Sequence, residues 1–366
     1  MDKRLYQVIS WLQNEQLDMA MIHSSTNVYY LTQFMCEPHE RFLGLFIFPH
    51  AEPFLICPLL DVDKAQDSGW SYTVIGYDDV ENPWEIVRNE VRKRLPNRQI
   101  RIAIEKERVS YARVEQLTQV IASNEIVSID EEINKWRLIK TDQEIDWMRE
   151  AARLADYGVE IGMNFLKKGC TEMEVLGQIE LELKKKGIEG MAFDTMVLFG
   201  EKSALPHGTP GLRELNKGDM VLFDLGVKWK GYCSDITRTV AFGTIDEKQQ
   251  EIYEVVLQAQ LEALNHCKPD IRVGNLDQAA RSVIEEAGYG KYFTHRVGHG
   301  LGMELHEYPS LNATNENLLQ VGMTFTIEPG IYIPNLCGVR IEDDVVITTT
   351  GYETLTSFPK ELQVIC

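Results

Sequence analysis

The chain has 366 residues, 44% of them apolar, and its 37 basic against 56 acidic side chains give a formal charge of −19. That length predicts two domains, each large enough to bury its own core. The negative charge argues against nucleic acid and anionic membrane surfaces as partners, because both require a clustered positive field.

The sequence has no segment typical of an export signal or a membrane span. Its first residues lead into an amphipathic stretch, and apolar runs such as 43–48 fall far short of the ~20 residues that cross a bilayer. The seven cysteines are scattered without CxxC pairs, which is typical of a reducing compartment. We therefore expect a cytoplasmic protein.

Helix-like and strand-like segments alternate over the first 130 residues, which predicts an α/β domain. In chain order they are a helix over 5–17, strands over 19–23, 43–48 and 54–57, a helix opening at Asn82-Pro83, a strand over 101–105 and a helix over 111–121. We place the boundary after this region, giving domains 1–130 and 131–366.

Two capping boxes open helices early in the second domain. Thr141 is followed by Glu144, and Thr171 by Glu174, each just before an apolar periodic stretch. From Met191 onwards the sequence is rich in strand signals, interrupted by helices over 246–266 and 276–287. The second domain is therefore predicted to be α+β.

Two neighbouring apolar strands, 220–226 and 232–240, each carry an aspartate. If the turn between them centres between Trp229 and Lys230, Asp224 lies opposite Asp235. Opposed carboxylates in a buried setting require a proton or a cation, which makes the pair a candidate metal site. The alternative is that one of the two is a solvated strand acid, and the pair alone leaves both open.

A second candidate region, 293–307, packs three histidines and three glycines into fifteen residues. Glycines permit close backbone approach, and the imidazoles of His295, His299 and His306 are potential metal ligands or proton carriers. A single histidine is usually structural, but three around a Gly-His-Gly tripeptide indicate a functional role.

Two further strands, 324–330 and 338–346, repeat the pattern with one glutamate each. A loop around Asn335 would bring Glu328 and Glu342 side by side. Two aspartates, two glutamates and one histidine form an oxygen-rich donor set that suits a pair of manganese, cobalt or zinc ions. Such a pair of ions can bind and polarise a reacting carbonyl group, as hydrolysis requires.

At these residues the sequence resembles the metal-dependent pita-bread peptidases, the superfamily of methionine aminopeptidase, aminopeptidase P and prolidase. Five ligand positions appear in family order, namely Asp224, Asp235, His299, Glu328 and Glu342. The first domain resembles the creatinase-like α/β domain of prolidase, aminopeptidase P and creatinase, which favours the proline-specific branch. The resemblance implies a C-terminal pita-bread catalytic domain and an N-terminal domain that covers the site and dimerises.

The resemblance also implies a role for each ligand. Asp224 would bind one metal ion in bidentate fashion, while Asp235 and Glu342 would bridge both ions. His299 and Glu328 would complete the shell of the other ion, and Glu328 would relay a proton. Three further histidines match family positions: His207 and His306 would hold and polarise the substrate, and His295 would line the proline side.

Two other residues are assigned to substrate binding. Arg340 resembles an arginine that orients carboxylate ligands. His39 lies in the segment 37–41, which resembles a prolidase loop that restricts access to short substrates. Two assignments have a non-functional alternative. Segment 37–41 could be a solvated polar loop, and His207 could be an ordinary loop residue after a proline.

One departure weakens a strict dipeptidase assignment. Some bacterial prolidases carry an arginine four residues after the position of His306, where it can hold the dipeptide carboxylate, and here that position is Ser310. The segment 37–41, by its resemblance to a loop that restricts access to short substrates, favours the dipeptidase assignment instead. We therefore expect a homodimeric Xaa-Pro dipeptidase acting on proline-containing di- or short peptides, with two divalent ions and manganese first among them.

Three alternatives stay open. Aminopeptidase P acts on longer peptides and shares both domains. A creatinase-like amidinohydrolase works without metal, and a non-catalytic pita-bread binding module keeps only the fold. The complete set of five ligands disfavours the last two.

Overall fold

The computed structural model describes residues 3–95 and 98–366. The chain divides into two compact units between Arg137 and Leu138, rather than at residue 130. The helix Asp130–Leu138 spans this region, and its residues up to Arg137 belong to the first unit. The Tyr30 hydroxyl donates to the Trp136 carbonyl at 3.0 Å, and Arg137 Nη1 donates to Asn27 Oδ1 at 2.7 Å.

The first unit interleaves helices with the strands of one sheet. Its elements are α1 (Lys3–Asn14), β1 (Met19–Ile22), α2 (Ser25–Thr32), β2 (Gly44–Ile47), β3 (Phe54–Pro58), α3 (Val62–Asp67), β4 (Thr73–Tyr77), α4 (Pro83–Arg94), β5 (Ile100–Ile104), α5 (Tyr111–Val120), β6 (Ser123–Ser128) and α6 (Asp130–Leu138). The strand order is β4-β3-β2-β1-β5-β6, with β1, β2 and β3 antiparallel and the remaining pairs parallel.

The predicted start of the helix at Asn82-Pro83 is confirmed. Asn82 caps α4 by accepting a hydrogen bond from the Trp84 amide at 3.0 Å, and Pro83 is the first helical residue. The central strands are buried on both faces, as expected when helices cover a sheet. The alternation of helices with the strands of one six-stranded sheet confirms the predicted α/β class.

The second unit combines four long helices with several sheets. Its elements are α7 (Asp142–Phe165), α8 (Glu172–Lys185), β7 (Gly190–Met191), β8 (Met196–Phe199), β9 (Asp219–Leu225), β10 (Val227–Trp229), β11 (Tyr232–Cys233), β12 (Ile236–Phe242), α9 (Glu247–Asn265), α10 (Gly274–Glu286), β13 (Gly298–Gly300), β14 (Glu307–Leu311), β15 (Thr324–Ile327), β16 (Gly330–Ile333), β17 (Cys337–Arg340), β18 (Asp343–Ile347), β19 (Tyr352–Thr354) and β20 (Val364–Ile365). Both predicted capping boxes are present, at α7 and at α8.

Each helix pair of this unit packs on its own group of strands. One apolar core joins α7 and α8 to the sheet β20-β12-β9-β8, and a second joins α9 and α10 mainly to β15, β16, β17 and β18. The sheet β14-β13-β15-β18-β19, the sheet β11-β10-β7 and the hairpin β16-β17 complete the α+β unit. Strands of both halves contribute to the candidate site.

The predicted pairing of Asp224 with Asp235 is wrong. Asp224 pairs with Thr237, because the turn centres one residue later, on Lys230 and Gly231. These two residues have φ of 53° and 76°, the left-handed conformation of a two-residue hairpin turn, and glycine adopts it without strain. Asp235 instead lies in the break between β11 and β12.

The predicted hairpin around Asn335 is confirmed, but its strands are shorter than expected. Ile333 pairs with Cys337 across a loop in which Asn335 has φ of 63°. Each long apolar run is interrupted at its acid, since Glu328 lies between β15 and β16 and Glu342 lies between β17 and β18. These interruptions release both glutamates from the regular alternation of strand side chains.

Candidate metal centre

The predicted site residues of the second unit line one cavity of about 370 Å³. These residues are His207, Asp224, Asp235, His295, His299, His306, Glu328, Arg340 and Glu342. His39 lies in the first unit, exposed in a turn with φ of 55°, so its contact with substrate stays a prediction. The remaining wall includes Phe193, Met196, Pro206 and Leu305 and is therefore largely apolar.

Donor atoms converge at the floor of this cavity. Asp235, His299 and Glu342 each offer one ligand atom, and these three atoms lie within 4.8 Å of one another. The Nε2 atom of His299 lies 3.6 Å from Asp235 Oδ2 and 3.5 Å from Glu328 Oε1. Asp224 reaches the same cavity from β9.

The hydrogen bonds of His299 fix the tautomer that a metal ligand requires. Its Nδ1 atom lies 3.1 Å from the Gly300 carbonyl, which can only accept, so Nδ1 carries the proton. The lone pair of Nε2 therefore points towards the carboxylates. Burial and the neighbouring His306 lower the pKa of His299 to about 3, which keeps the ring neutral.

The carboxylates are too crowded to be charged together without compensation. Burial, followed by the charges of Glu342 and Asp224, raises the pKa of Asp235 well above its usual value. Burial and the nearby Glu328 and Asp224 do the same to Glu342, and burial raises the pKa of Glu328 to about 7. Ionised carboxylates at this spacing require cations.

Divalent cations fit this donor set. Three buried oxygens, Asp224 Oδ1, Asp235 Oδ1 and Glu342 Oε1, have no hydrogen-bond partner in the part of the chain that the structure describes. Buried polar atoms without partners are rare because each is costly, and coordination of a cation would satisfy all three. Carboxylate oxygens with one imidazole nitrogen suit manganese, cobalt or zinc.

Comparison with known proteins agrees with this chemistry. Residues 146–349, more than half of the chain, match the sequence profile of Metallopeptidase family M24. The chain belongs to this family. Residues 4–139 match the Creatinase/Prolidase N-terminal domain, so both halves of the predicted resemblance are confirmed. The protein is therefore an M24 metallopeptidase, a hydrolase whose family uses divalent metal, with a pita-bread catalytic unit.

Similar proteins match over almost the entire length of this M24 chain. YkvY of Bacillus subtilis (strain 168), whose name marks it as a proposed dipeptidase, is 54% identical, with 99% of each chain covered. The structure of an Xaa-Pro dipeptidase from Bacillus anthracis superposes with a TM-score of 0.92 at 34% identity, covering 99% of each chain. An X-Pro aminopeptidase from Thermotoga maritima MSB8 gives 0.89 at 30% identity, covering 99% of this chain and 100% of that one.

Arg340 organises the carboxylates of this M24 site from behind. Its guanidinium donates to Asp224 Oδ2, to the Thr237 hydroxyl at 2.9 Å and to the Tyr332 hydroxyl at 2.8 Å. The Thr237 hydroxyl in turn donates to Glu342 Oε2 at 2.6 Å. Arg340 thereby orients the Asp224 carboxylate directly and the Glu342 carboxylate through the Thr237 hydroxyl.

Sequence reasoning missed three residues that hold the ligands in place. Thr237 and Tyr332 are partners of Arg340, and Asp344 Oδ2 accepts the Asp235 amide at 3.0 Å. The correct hairpin register would have identified Thr237, which pairs directly with Asp224. Asp344 carries no sequence signal of this kind, because its partner Asp235 is 109 positions away in the chain. Tyr332 lies in the same hairpin as Arg340, but the strand pairing does not place the two directly opposite each other.

Thr237→Val is expected to weaken metal binding about 10- to 100-fold, the usual effect of losing a group that orients a ligand. The substitution keeps the β-branched shape but leaves Glu342 Oε2 and Arg340 Nε without their shared partner. Metal titration of the stripped enzyme measures the effect. Thr239→Val is the matched control, since within residues 3–95 and 98–366 the Thr239 hydroxyl bonds only the Arg340 backbone. Equal losses in the two variants would contradict the assignment.

The four predicted histidines that line the cavity differ in how firmly they are held. His295 Nδ1 lies 2.7 Å from the Arg296 carbonyl and therefore donates, so its Nε2 accepts from the Tyr332 hydroxyl at 2.9 Å. Burial lowers the pKa of His295 to about 4, which keeps this ring neutral. His207 and His306 are exposed at the cavity, and the His306 ring centre lies 4.2 Å from that of His299. Among the four, His207 and His306 are the exposed residues.

No helix within residues 3–95 and 98–366 combines the length and apolar character needed to cross a membrane.

Proposed function

We propose that this chain is an Xaa-Pro dipeptidase that hydrolyses the bond between an N-terminal residue and proline, with two divalent cations, manganese first. The observation that carries the proposal is the convergence of five metal-type donors and three further histidines on one small cavity. Full-length similarity to an Xaa-Pro dipeptidase supports the substrate class. A volume of about 370 Å³ lies at the small end of ligand pockets and suits a short peptide.

Asp224, Asp235, His299, Glu328 and Glu342 would hold the cations, which when bound supply an activated water and a polarised substrate carbonyl. Glu328 is assigned the proton transfer from that water to the departing proline nitrogen. Its side chain is 17% exposed, against 7% for Asp235 and 12% for Asp224, so it is the most accessible of these three carboxylates. A proton carrier must reach both reactants, and the others are enclosed.

The exposed histidines are assigned to the substrate carbonyl. His207 and His306 can donate a hydrogen bond to an oxygen that gains charge during the reaction. His295 is locked by Tyr332 and the Arg296 carbonyl, so it supplies a fixed wall for the proline ring. Proline lacks an N–H and restricts the residue before it, and a rigid, partly apolar wall accommodates such a substrate.

Aminopeptidase P, which acts on longer peptides, is the second candidate. It is favoured by similarity to an X-Pro aminopeptidase and by Ser310 at the position where some prolidases carry arginine. A creatinase-like reaction without metal is disfavoured by the complete donor set. We also propose a cytoplasmic homodimer, in which the first unit covers the site and dimerises. The seven cysteines, all present as free thiols, support a reducing compartment.

Assays of Ala-Pro, Ala-Pro-Ala and Ala-Ala with the stripped enzyme and added manganese, cobalt or zinc test the proposal. We expect Ala-Pro to be cleaved fastest, Ala-Pro-Ala more slowly and Ala-Ala least, with activity lost in chelator. Cleavage of the tripeptide at an equal or higher rate would favour the aminopeptidase. Failure to cleave either proline peptide with any of the metals would exclude both candidates.

A further inference from the structure

The His207 loop, residues 200–210, follows β8 and places Pro206 and His207 at the wall of the cavity. The His207 imidazole is exposed, and it has no hydrogen-bond partner in the part of the chain that the structure describes. The His295 ring, in contrast, is fixed by the Tyr332 hydroxyl. The direction of the His207 ring therefore depends on how firmly the backbone of its loop is held.

Glu172, the first residue of α8, bonds to both ends of the His207 loop. Its side chain is completely buried. Glu172 Oε1 accepts the Phe199 amide at 2.9 Å, just before the loop, and Oε2 accepts the Gly211 amide at 2.7 Å, just after it. The Met173 amide also donates to the Gly211 carbonyl at 3.2 Å. Both ends of the loop are thus fixed to the start of one helix.

Lys202 connects the interior of the loop to the same carboxylate. Its ammonium donates to Glu172 Oε2 and to the Thr209 carbonyl at 3.1 Å. Lys202 precedes His207 in the loop and Thr209 follows it. A buried carboxylate is costly unless a cation and hydrogen bonds compensate it, and here one ammonium and two amides do so. A buried polar group satisfied in this way is rigid, so the backbone is held on both sides of His207.

We propose that Glu172 is a positioning residue for the reaction, which together with Lys202 holds the His207 loop so that the His207 imidazole meets the substrate carbonyl. The inference rests on the proposed Xaa-Pro hydrolysis and names the group that fixes one of its two exposed histidines. Glu172 does not itself line the cavity, so its effect passes through the loop. A displacement of about 1 Å at a reacting group can cost about 10²-fold in rate.

Glu172→Gln keeps the size of the side chain and removes the charge that its three donors share. With manganese and Ala-Pro, we expect kcat to fall about 10- to 100-fold with little change in KM, because His207 would bond an oxygen that gains charge only in the transition state. Manganese affinity is expected to stay unchanged, since none of the five proposed ligands lies in this loop. Glu174→Gln is the matched control, because the Glu174 carboxylate accepts the Thr171 amide at the same helix end.

The double substitution of Glu172→Gln with His207→Ala decides whether Glu172 acts through His207. In the His207→Ala enzyme, Glu172→Gln is expected to lower kcat by no more than about twofold, the usual tolerance of additivity. Full losses from both substitutions would overturn the proposal, because Glu172 would then act by another route. A wild-type kcat in Glu172→Gln would overturn it as well.

Lys202→Met is the second variant, used if Glu172→Gln does not fold. It leaves both backbone bonds of Glu172 in place, so we expect a smaller decrease in kcat, again absent in the His207→Ala enzyme. An unchanged kcat in Lys202→Met would then count against the proposal and overturn it. Wild-type protein that cleaves neither Ala-Pro nor Ala-Pro-Ala refutes the Xaa-Pro function itself, and with it the role assigned to His207.

Discussion

Asp235→Asn is expected to lower kcat/KM for Ala-Pro by at least about 10³-fold, because loss of the proposed ligand to both cations would remove several kcal/mol of transition-state stabilisation. Asparagine preserves the shape of the side chain and its backbone hydrogen bond to Asp344, but it lacks the negative charge. Asp235 is central to the donor cluster, since its carboxylate lies 3.6 Å from His299 Nε2 and beside Glu342.

The same substitution is expected to raise the stability of the metal-free protein. Burial and neighbouring carboxylates raise the pKa of Asp235, so the ionised form is unfavourable without a cation. Steady-state rates measure the first effect and denaturant unfolding the second, and metal content is measured alongside them. Asp146→Asn, on the exposed face of α7, is the control. Substantial metal-dependent activity in Asp235→Asn would exclude Asp235 as a metal ligand.

Arg340→Met is expected to destabilise the metal-free protein by about 3–5 kcal/mol, the usual cost of breaking a buried ion pair from one side. Arg340 is 4% exposed, and its replacement leaves the buried Asp224 carboxylate without the guanidinium that pairs with it. It also leaves the hydroxyls of Thr237 and Tyr332 without a donor. Bound metal would partly replace the missing positive charge, so the loss should be smaller in the metal-loaded enzyme.

Unfolding by denaturant with chelator and with manganese measures this difference. Arg213→Met is the matched control, because Arg213 pairs with Asp219 at the start of β9, outside the cavity. It is expected to cost the same with and without metal. We also expect Arg340→Met to lower kcat/KM by at least about 10- to 100-fold through the disordered ligands. An equal loss of stability in both metal states would show that Arg340 supports the fold alone.

Local sequence chemistry predicted the elements that have a local cause. The capping boxes at Thr141 and Thr171 form because a hydroxyl and a glutamate three residues apart satisfy the same helix end. The hairpin around Asn335 forms because alternating apolar strands flank a residue that tolerates positive φ. None of these depends on distant parts of the chain.

The errors arose where one residue of register changes the outcome. A turn on Lys230 and Gly231 puts Thr237, rather than Asp235, opposite Asp224. The sequence permitted both turns, since glycine stands beside either of them, and the distinction decides which side chains share a face. The proposed ligand positions do not depend on this register, because they follow from the order of the residues along the chain and from the family resemblance.

The sequence by itself determined the family, the two-domain organisation and the types of residue available for catalysis, because each is expressed in residue identity and spacing. Only the tertiary structure decided which groups orient those residues. Arg340 reaches Asp224 across 116 positions of the chain, and Thr237 reaches Glu342 across 105. Such partners are set by the packing of strands distant in sequence, which no local pattern encodes.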